Sequence, residues 1–421
     1  MVQKQVAVIG GGVIGVCTAY FLALAGHQVV VIERRANVAE ETSFGNAGIM
    51  APGYVMPWAR PGMPRHLLSY LFKQETPLML PRKMDPALWR WVRLWLAECD
   101  LEKFRTNMQR MQRLATYSRD ILPQPEPQIL QADEKTQGYL QLFRTAKDIA
   151  LAEPALALLR ELDSAHRLLD PDAARLLEPA LARQTALAGA LYLPDTETGN
   201  CPLFTKQLKQ IAMSLGVEFI FGNSVSTIVQ KGTQLAMNIG GTSFLADAIV
   251  LAAGADSARM LKNLGIKTPL FSVKSYAATA TLKDIEAAPL AAIMDETYHV
   301  SITRMGNRIR LAGAAELASR SATVSETAQR TLRKVGHDWF PNAANYNNAQ
   351  FWCGLQPTLP DGPPLIGATP MKNLFVNIGH GAYGWAMAAG AGKLVADIIS
   401  ERTPDIDLNG LTMARYEMHT A

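Results

Sequence analysis

The chain is poor in the residues that build disulfide frames and metal sites. Its 421 residues include four cysteines, Cys17, Cys99, Cys201 and Cys353, widely scattered and with no C-x-x-C spacing. A zinc ribbon and a dense disulfide frame are excluded, no metal site is expected, and a reducing compartment is the default. Long apolar runs are missing too. No stretch of about 20 apolar residues occurs, so no helix is expected to span a membrane. Gly10, Gly11, Gly12 and Gly15 interrupt the first apolar stretch, which argues against a secretory signal and for a cytoplasmic location. Fixed-period repeats, long linkers and an excess of Gly or Pro are likewise absent, so collagen-like and low-complexity readings fail.

Apolar residues are plentiful. At 48% hydrophobic and 19% charged, the chain has the side chains that a core requires, and disorder is excluded. Its length predicts two domains, three at most. Net charge is +4 but uneven: residues 60–119 hold twelve Lys or Arg against five Asp or Glu. Such a segment is either a solvated helical face or an attractor of phosphates, anionic lipid or acidic ligands. No nucleic-acid-binding motif accompanies it, so a nucleic-acid partner is disfavoured.

The beginning of the chain reads as a strand–turn–helix–strand unit. Gln5–Ile9 is short, β-branched and bounded by glycine. A helical stretch follows from about Val13 to Ala25, then a second buried strand over Gln28–Ile32 that ends at Glu33. The first turn carries G-x-G-x-x-G as Gly10, Gly12 and Gly15. Gly10 permits the tight turn, Gly12 lets a pyrophosphate approach the backbone, and Gly15 lets the helix sit close to the strand. The helix start, with Val13 and Ile14, offers N–H groups and partial positive charge to phosphates. Glu33, 18 residues after Gly15, is placed to hydrogen-bond ribose hydroxyls and disfavours a 2′-phosphate, so NADP is not expected. Arg34 and Val225 complete the candidate nucleotide contacts.

The next segment favours FAD over NAD. Glu41-Thr42-Ser43-Phe44-Gly45-Asn46-Ala47-Gly48 is small and polar where an ordinary NAD domain would continue into another helix and strand. Ser43, Asn46, Ala47 and Gly48 suit a backbone wrapped round a large cofactor; the alternative is a surface loop. A strand near 246–252 ends in Ala253-Gly254, small enough for close approach to a nucleotide. Near the far end, Asn373–Ile378 leads into Gly379-His380-Gly381-Ala382-Tyr383-Gly384 and a helix to about Ile399. That glycine-rich start can aim N–H groups at a flavin carbonyl, where negative charge develops on reduction.

These stretches carry a family resemblance. Val8-Ile9 with the glycine turn, Glu41-Thr42-Ser43 with Asn46-Ala47-Gly48, and Pro52-Gly53-Tyr54 with Pro57-Trp58 contribute to it. So do Gly138-Tyr139-Leu140-Gln141-Leu142-Phe143-Arg144-Thr145, Asp295-Glu296-Thr297-Tyr298, Ile302-Thr303-Arg304 and Gly379-His380-Gly381. Over essentially its whole length the chain resembles the flavin amine oxidoreductases of the D-amino-acid oxidase and glycine/sarcosine oxidase group, and within it the bacterial dehydrogenases that act on D-amino acids. The resemblance implies bound FAD and oxidation of a D-amino acid to an imino acid, with the Cα hydrogen passing as hydride to flavin N5. Hydrolysis then gives a 2-oxo acid and ammonia. It also implies electron transfer to a respiratory acceptor, quinone in the first instance, at the inner face of the inner membrane.

One position departs from the group. Where the group usually has arginine in a Gly-Leu-Arg-Pro run, this chain has Gln356 in Gly354-Leu355-Gln356-Pro357. In related oxidases that arginine helps hold the substrate carboxylate. A charged hydrogen bond exceeds a neutral one by roughly 1 kcal/mol or more, so carboxylate affinity should fall about tenfold unless another cation compensates. Arg304, Arg308 and Lys274 are the candidates; a different substrate is the alternative.

Amine oxidation of this kind needs orientation and exclusion of water more than an acid–base triad. His380 is a candidate flavin neighbour or else a helix-capping histidine. Tyr54 and Trp58 are candidates for lining the pocket, Tyr276 and Tyr298 for holding a carboxylate, and Arg304 for doing so with charge. A covalent flavin link through Cys353 fits the spacing poorly.

The fold class expected is α/β with an α+β substrate domain: a Rossmann-like FAD-binding domain from residues 1–82, 195–270 and 350–421, and a discontinuous mixed-sheet substrate domain from 83–194 and 271–349. Residues 86–120 and 147–183 look helical; 138–144, 270–282 and 298–313 look like strands, the last turning through Gly306-Asn307. Gln124-Pro125-Glu126-Pro127 reads as a short rigid turn. Within residues 63–100, Leu88, Trp91, Val92, Trp95 and Leu96 share a helical face, and Leu67, Leu68, Leu71 and Phe72 form a similar stripe. Beside Arg65, Lys73, Arg90 and Arg93, these faces suit peripheral contact with a membrane or, alternatively, core packing. A secondary-amine dehydrogenase acting on D-proline or hydroxyproline, an oxygen-using oxidase and a non-catalytic flavin-binding subunit remain as alternatives.

Overall fold

In the computed structural model, the described residues are 2–70, 73–81, 85–122, 137–317 and 323–417. Two sheets organise them. The first has six strands in the order Leu365–Ala368, Leu374–Ile378, Ala248–Leu251, Gln5–Ile9, Gln28–Glu33, Glu218–Phe221. All neighbours are parallel except the Leu365–Ala368 edge.

Its strands are apolar on both faces because both faces are covered. Val6, Val8, Val29 and Val31 meet the helices Val13–Leu24, Leu101–Ile121, Cys201–Ser214 and Gly384–Ile399. Ala7, Ile9, Val30 and Ile32 meet a three-stranded antiparallel meander, Val225–Lys231, Gln234–Ile239 and Thr242–Ala246. This is the expected Rossmann-like layer.

The second sheet is mixed and has nine strands. Phe271–Thr281 and the hairpin Val300–Met305/Arg308–Glu316 form its centre, and Tyr139–Phe143 lies parallel to Ala292–Asp295. The helix Glu326–Trp339 packs Leu332, Val335 and Trp339 against Ile302, Ile309 and Leu311 on one face.

Three expectations about organisation are corrected. Gln350–Thr358 pairs along Phe271–Thr281, so it belongs to the second sheet, and the division expected at residue 350 falls after Thr358. Leu101–Ile121 serves both sides and not the substrate domain alone: Met111, Leu114 and Ala115 enter the core of the nucleotide layer, while Phe104 and Met108 pack with Tyr139, Phe143 and Leu159. Residues 147–183 are not one helical tract: helices Ala146–Glu161 and Pro171–Leu177 flank a strand, Arg167–Leu169, that pairs with Gly189–Leu193.

The membrane face is corrected in part. On the helix Pro86–Ala97, Leu88, Trp91 and Trp95 are buried against Val273 and Leu317. Amphipathicity identified the apolar face but could not say that protein, not lipid, covers it. Trp89 and Leu96 of the same helix are exposed. Leu71, Phe72, the side chain of Leu68 and the Gln124–Pro127 turn lie outside the described residues. Among the described residues, no helix is long and apolar enough to cross a membrane.

Candidate active site

One continuous cavity of about 420 Å³ runs from the glycine turn between the two sheets to a buried polar cluster. At its first end Gly10 has φ +115°, and a Cβ there would fall 2.4 Å from the Ala252 carbonyl oxygen. A Cβ on Gly15 would fall 1.9 Å from the Gly10 carbonyl oxygen. Helix and strand therefore touch through hydrogen alone. At Gly12 the nearest atom to a Cβ is Ser43 Oγ at 3.4 Å, so this glycine keeps open space for a ligand and not for packing.

Glu33 lines the same end. Its Oε2 accepts from the Gly11 N–H at 2.6 Å and its Oε1 from the Arg35 N–H at 2.7 Å. Each carboxylate oxygen still has lone pairs for a ribose hydroxyl. Arg34 and Val225 line the cavity beside it. Arg34 is held by Glu41 and Asp256 in ion pairs, and Glu41, drawn by both Arg34 and Arg35 against the effect of burial, titrates below the ordinary carboxylate range. Ala253 and Gly254 follow the Ala248–Leu251 strand at the cavity wall.

The loop after the second strand covers the middle. Ser43 Oγ accepts from the Val13 N–H at 3.1 Å, and Asn46 Oδ1 accepts from the Gly48 N–H at 2.7 Å. Thr303 Oγ1 donates to the Ala47 carbonyl at 2.7 Å, tying this loop to the second sheet. Ser43, Asn46 and Ala47 line the cavity; Gly48 instead packs against the Gly199 carbonyl.

Opposite lies the segment Gly379–Gly384, all of which lines the cavity and opens the helix Gly384–Ile399. Gly379 and Gly381 both have positive φ, +84° and +56°. His380 is 4% exposed and its Nε2 is buried without a hydrogen-bond partner. Burial lowers its pKa to about 3, so its ring is neutral. Burial pushes the Tyr383 hydroxyl up to about 12.

The far end is polar and was not foreseen. Arg60 Nη2 donates to Glu296 Oε1 at 2.6 Å, both side chains being nearly buried. Gln141 Nε2 donates to Glu296 Oε2 at 2.5 Å, and His299 Nδ1 lies 3.7 Å from the same oxygen. Burial works to raise the Glu296 carboxyl, but Arg60 and then His299 hold it below its ordinary value. Burial likewise lowers the pKa of the His299 ring, against the pull of Glu296. Tyr54, Tyr70, Tyr139 and Tyr383 surround this cluster as cavity walls. The Tyr54 hydroxyl and Gln141 Oε1 are buried and lack a partner at bonding distance.

Of the residues expected to touch substrate, Tyr54, Trp58, Gln356 and His380 line the cavity. Tyr276 lines it as well, and two others are placed elsewhere. The Tyr276 hydroxyl donates to Glu316 and its ring belongs to the core under the helix Glu326–Trp339. Tyr298 does not line it: its ring lies under the Arg144 guanidinium, 4.9 Å away. Arg304 does not line it either. Ser301, three residues earlier on the same strand, faces the cavity, so alternation puts Arg304 on the opposite face, near Glu178. Lys274 is paired with Glu316 at 3.6 Å and Arg308 is exposed at the hairpin end, so neither compensates for Gln356. Cys353 sits opposite Tyr276 in the sheet and is not a cavity wall.

Sequence reasoning missed Arg60, Gln141, Glu296 and His299. Two of these stand inside stretches that carried the family resemblance, Gly138–Thr145 and Asp295–Tyr298. Nothing local pairs Arg60 with a residue 236 positions away. A flavin dinucleotide fits the walls: an open Gly12, a helix start and small residues at Ala253-Gly254 all face the same space, with the buried His380 among its lining residues.

Known proteins agree with this architecture. The family model described as FAD dependent oxidoreductase matches residues 5–398. The chain is 42% identical over 415 residues to D-amino acid dehydrogenase 1 of Mesorhizobium japonicum, covering 98% of this chain and 99% of that one. To a D-amino acid dehydrogenase of Bradyrhizobium diazoefficiens it is 41% identical with the same coverage. Among solved structures, the glycine oxidase of Geobacillus kaustophilus superposes with a TM-score of 0.74 at 22% identity, covering 99% of both chains. The L-proline dehydrogenase of P. horikoshii superposes with a TM-score of 0.70 at 18% identity, over 99% of this chain and 98% of that one. These two likenesses are of fold.

Proposed function

The chain belongs to the FAD-dependent oxidoreductase family, and from that premise we propose that it oxidises D-amino acids to imino acids, which water converts to 2-oxo acids and ammonia. The observation that carries this reading is the single cavity joining the dinucleotide turn to a buried polar cluster, on a chain whose full-length relatives are named D-amino acid dehydrogenases. Bound FAD would supply the acceptor for the hydride equivalent leaving the substrate Cα.

The residues then have separable tasks. Gly10, Gly12, Val13, Ile14 and Glu33 would hold the pyrophosphate and ribose end, with Arg34 and Val225 at its rim, while Gly15 lets the helix sit against the strand. Ser43, Asn46, Ala47 and the Gly379–Gly384 segment hold the ring system. Neutral His380 would lie beside it without adding charge. Tyr54, Trp58, Tyr139 and Tyr383 exclude water, which strengthens every polar contact inside. Gln356 offers an uncharged amide to the substrate.

For the electrons, a respiratory quinone is our reading of the acceptor, and the inner face of the bacterial membrane our reading of the place. Trp89 and Leu96, exposed on one helix with Arg90 and Arg93, support peripheral contact through residues 63–100.

Anaerobic mixing with D-alanine, L-alanine, D-proline and glycine tests the reaction, read as loss of oxidised-flavin absorbance. Bleaching by D-amino acids is expected. Bleaching by D-proline alone would move the substrate to secondary amines, and none with FAD bound would overturn the reading. Peroxide release in air would replace the quinone with oxygen.

A further inference from the structure

A substrate that carries a carboxylate to the buried, tyrosine-lined end of this cavity needs a cation there, because an ionised carboxylate loses its hydration on entry. Gln356 has none to offer. Among the described residues, the cavity's cationic walls are Arg34, Arg60 and Arg259. Arg34 and Arg259 both pair with Asp256 beside the glycine turn, at the nucleotide end. Arg60 stands at the other end, with Tyr54, Gln141 and Glu296.

We propose that Arg60 takes the substrate carboxylate in this protein, and that Glu296 is its resident counterion, giving up part of the guanidinium when the ligand arrives. The proposal rests on the reading of the substrate as an amino acid and deepens it by naming the group that holds the acid end.

Three features favour a shared guanidinium over a fixed structural pair. First, Glu296 engages Nη2 through one oxygen, whereas a guanidinium has five N–H donors in a planar fork, enough for two carboxylates. Second, Glu296 does not depend on Arg60 alone. Gln141 donates to its other oxygen at 2.5 Å, so the carboxylate keeps a partner when Arg60 is shared. Third, the surroundings are held in strain, as sites often are and scaffolds seldom are. His299, whose Nε2 lies 3.4 Å from Arg60 Nη2, has φ +47°, and Gly313 behind it leaves no room for a Cβ, which would fall 2.2 Å from the His299 carbonyl oxygen. The resident anion also explains how a buried arginine is tolerated before substrate enters: the pair is neutral as a unit.

The test uses the FAD-loaded enzyme and a non-reacting probe. Benzoate suits the tyrosine-lined end, and benzamide is its neutral isostere. Each is titrated against the flavin absorbance band to give a Kd. In the unsubstituted protein benzoate is expected to bind more tightly than benzamide. Arg60→Gln should raise the benzoate Kd about tenfold or more and leave benzamide nearly unchanged, the difference between a charged and a neutral hydrogen bond. Glu296→Gln should lower the benzoate Kd, since it removes the competing anion. A merely structural ion pair would not produce opposite shifts from its two halves.

Equal binding of the two probes to the unsubstituted protein would overturn the proposal. So would an unchanged benzoate Kd in Arg60→Gln, or a raised one in Glu296→Gln. Should Arg60→Gln not retain FAD, Arg60→Lys decides: a several-fold weaker benzoate Kd is expected from loss of the fork, and no change overturns. None of these readings requires turnover. A protein that binds benzoate through Arg60 yet is not reduced by D-alanine would overturn the proposed function and leave the carboxylate assignment standing.

Discussion

A Cβ placed on Gly15 would lie 1.9 Å from the carbonyl oxygen of Gly10, whereas one placed on Gly12 meets nothing nearer than Ser43 Oγ at 3.4 Å. Two glycines of one motif therefore serve different ends. Gly15→Ala forces the helix off the strand and should cost about 1–3 kcal/mol or more of stability, as overpacking does. Gly12→Ala should leave the melting temperature of the FAD-free protein nearly unchanged and reduce FAD retention, because the methyl group enters ligand space. Thermal unfolding of the stripped protein and the flavin-to-protein absorbance ratio separate the two. Normal FAD content in Gly12→Ala would contradict the placement of the pyrophosphate.

Trp91 and Trp95 should behave as core residues. Both are buried, and Trp91 Nε1 donates to the Thr358 carbonyl at 3.3 Å. Replacing either by alanine should cost about 3–5 kcal/mol. Trp89, 60% exposed on the same helix, should tolerate Trp89→Ser within about 0.5 kcal/mol. If this helix lies on a membrane, Trp89→Ser is also the variant that weakens sedimentation with anionic vesicles at unchanged stability. A stable Trp91→Ala protein would refute the packing described.

The contrast shows what was legible. Strand, glycine turn, helix and terminal acid are local, and each residue from Gln5 to Glu33 has a role that its neighbours define. The hairpin through Gly306-Asn307 was equally readable, with Gly306 at φ +59° in the turn. What covers a face was not readable: the stripe Leu88-Trp91-Trp95 is the same for protein or lipid. Parity failed at Arg304, since a strand that shows apolar and polar residues on both faces does not announce which one looks into a cavity. Arg60 and Glu296 meet only because two sheets close on each other, and no spacing along the chain encodes that.

His380 gives a pH prediction with a definite sign. Its folded pKa is lowered to about 3 from an ordinary 6.5 by burial. Between those values the unfolded chain binds a proton at this residue and the folded one does not. Stability therefore falls as pH drops below 6.5, with a slope from this residue of about 1.4 kcal/mol per pH unit, and the contribution is flat above 6.5. His380→Gln removes it. Denaturant midpoints measured from pH 8 to pH 4.5 should diverge progressively on the acid side, the unsubstituted protein losing stability faster. Parallel curves would show that the histidine is protonated in the fold.

Arg144 tests whether the cluster around Glu296 depends on the buried carboxylate next to it in sequence. Asp295 has no exposed side-chain surface, and its Oδ2 accepts from Arg144 Nε at 2.8 Å and from Trp339 Nε1 at 2.6 Å. Arg144 also lies 2.7 Å from Asp338 and packs its guanidinium over Tyr298 and Trp339 at 4.9 and 5.0 Å. Arg144→Ala leaves Asp295 buried and uncompensated, which should cost about 3–5 kcal/mol. Arg144→Lys keeps the charge but neither spans both acids nor stacks on both rings, so its loss should be smaller yet still measurable by denaturant titration. Because Asp295 anchors the strand end that carries Glu296, Arg144→Lys should also raise KM for the amine substrate more than it lowers kcat. A loss of stability with KM unchanged would mean that Glu296 is positioned by Arg60 and Gln141 alone.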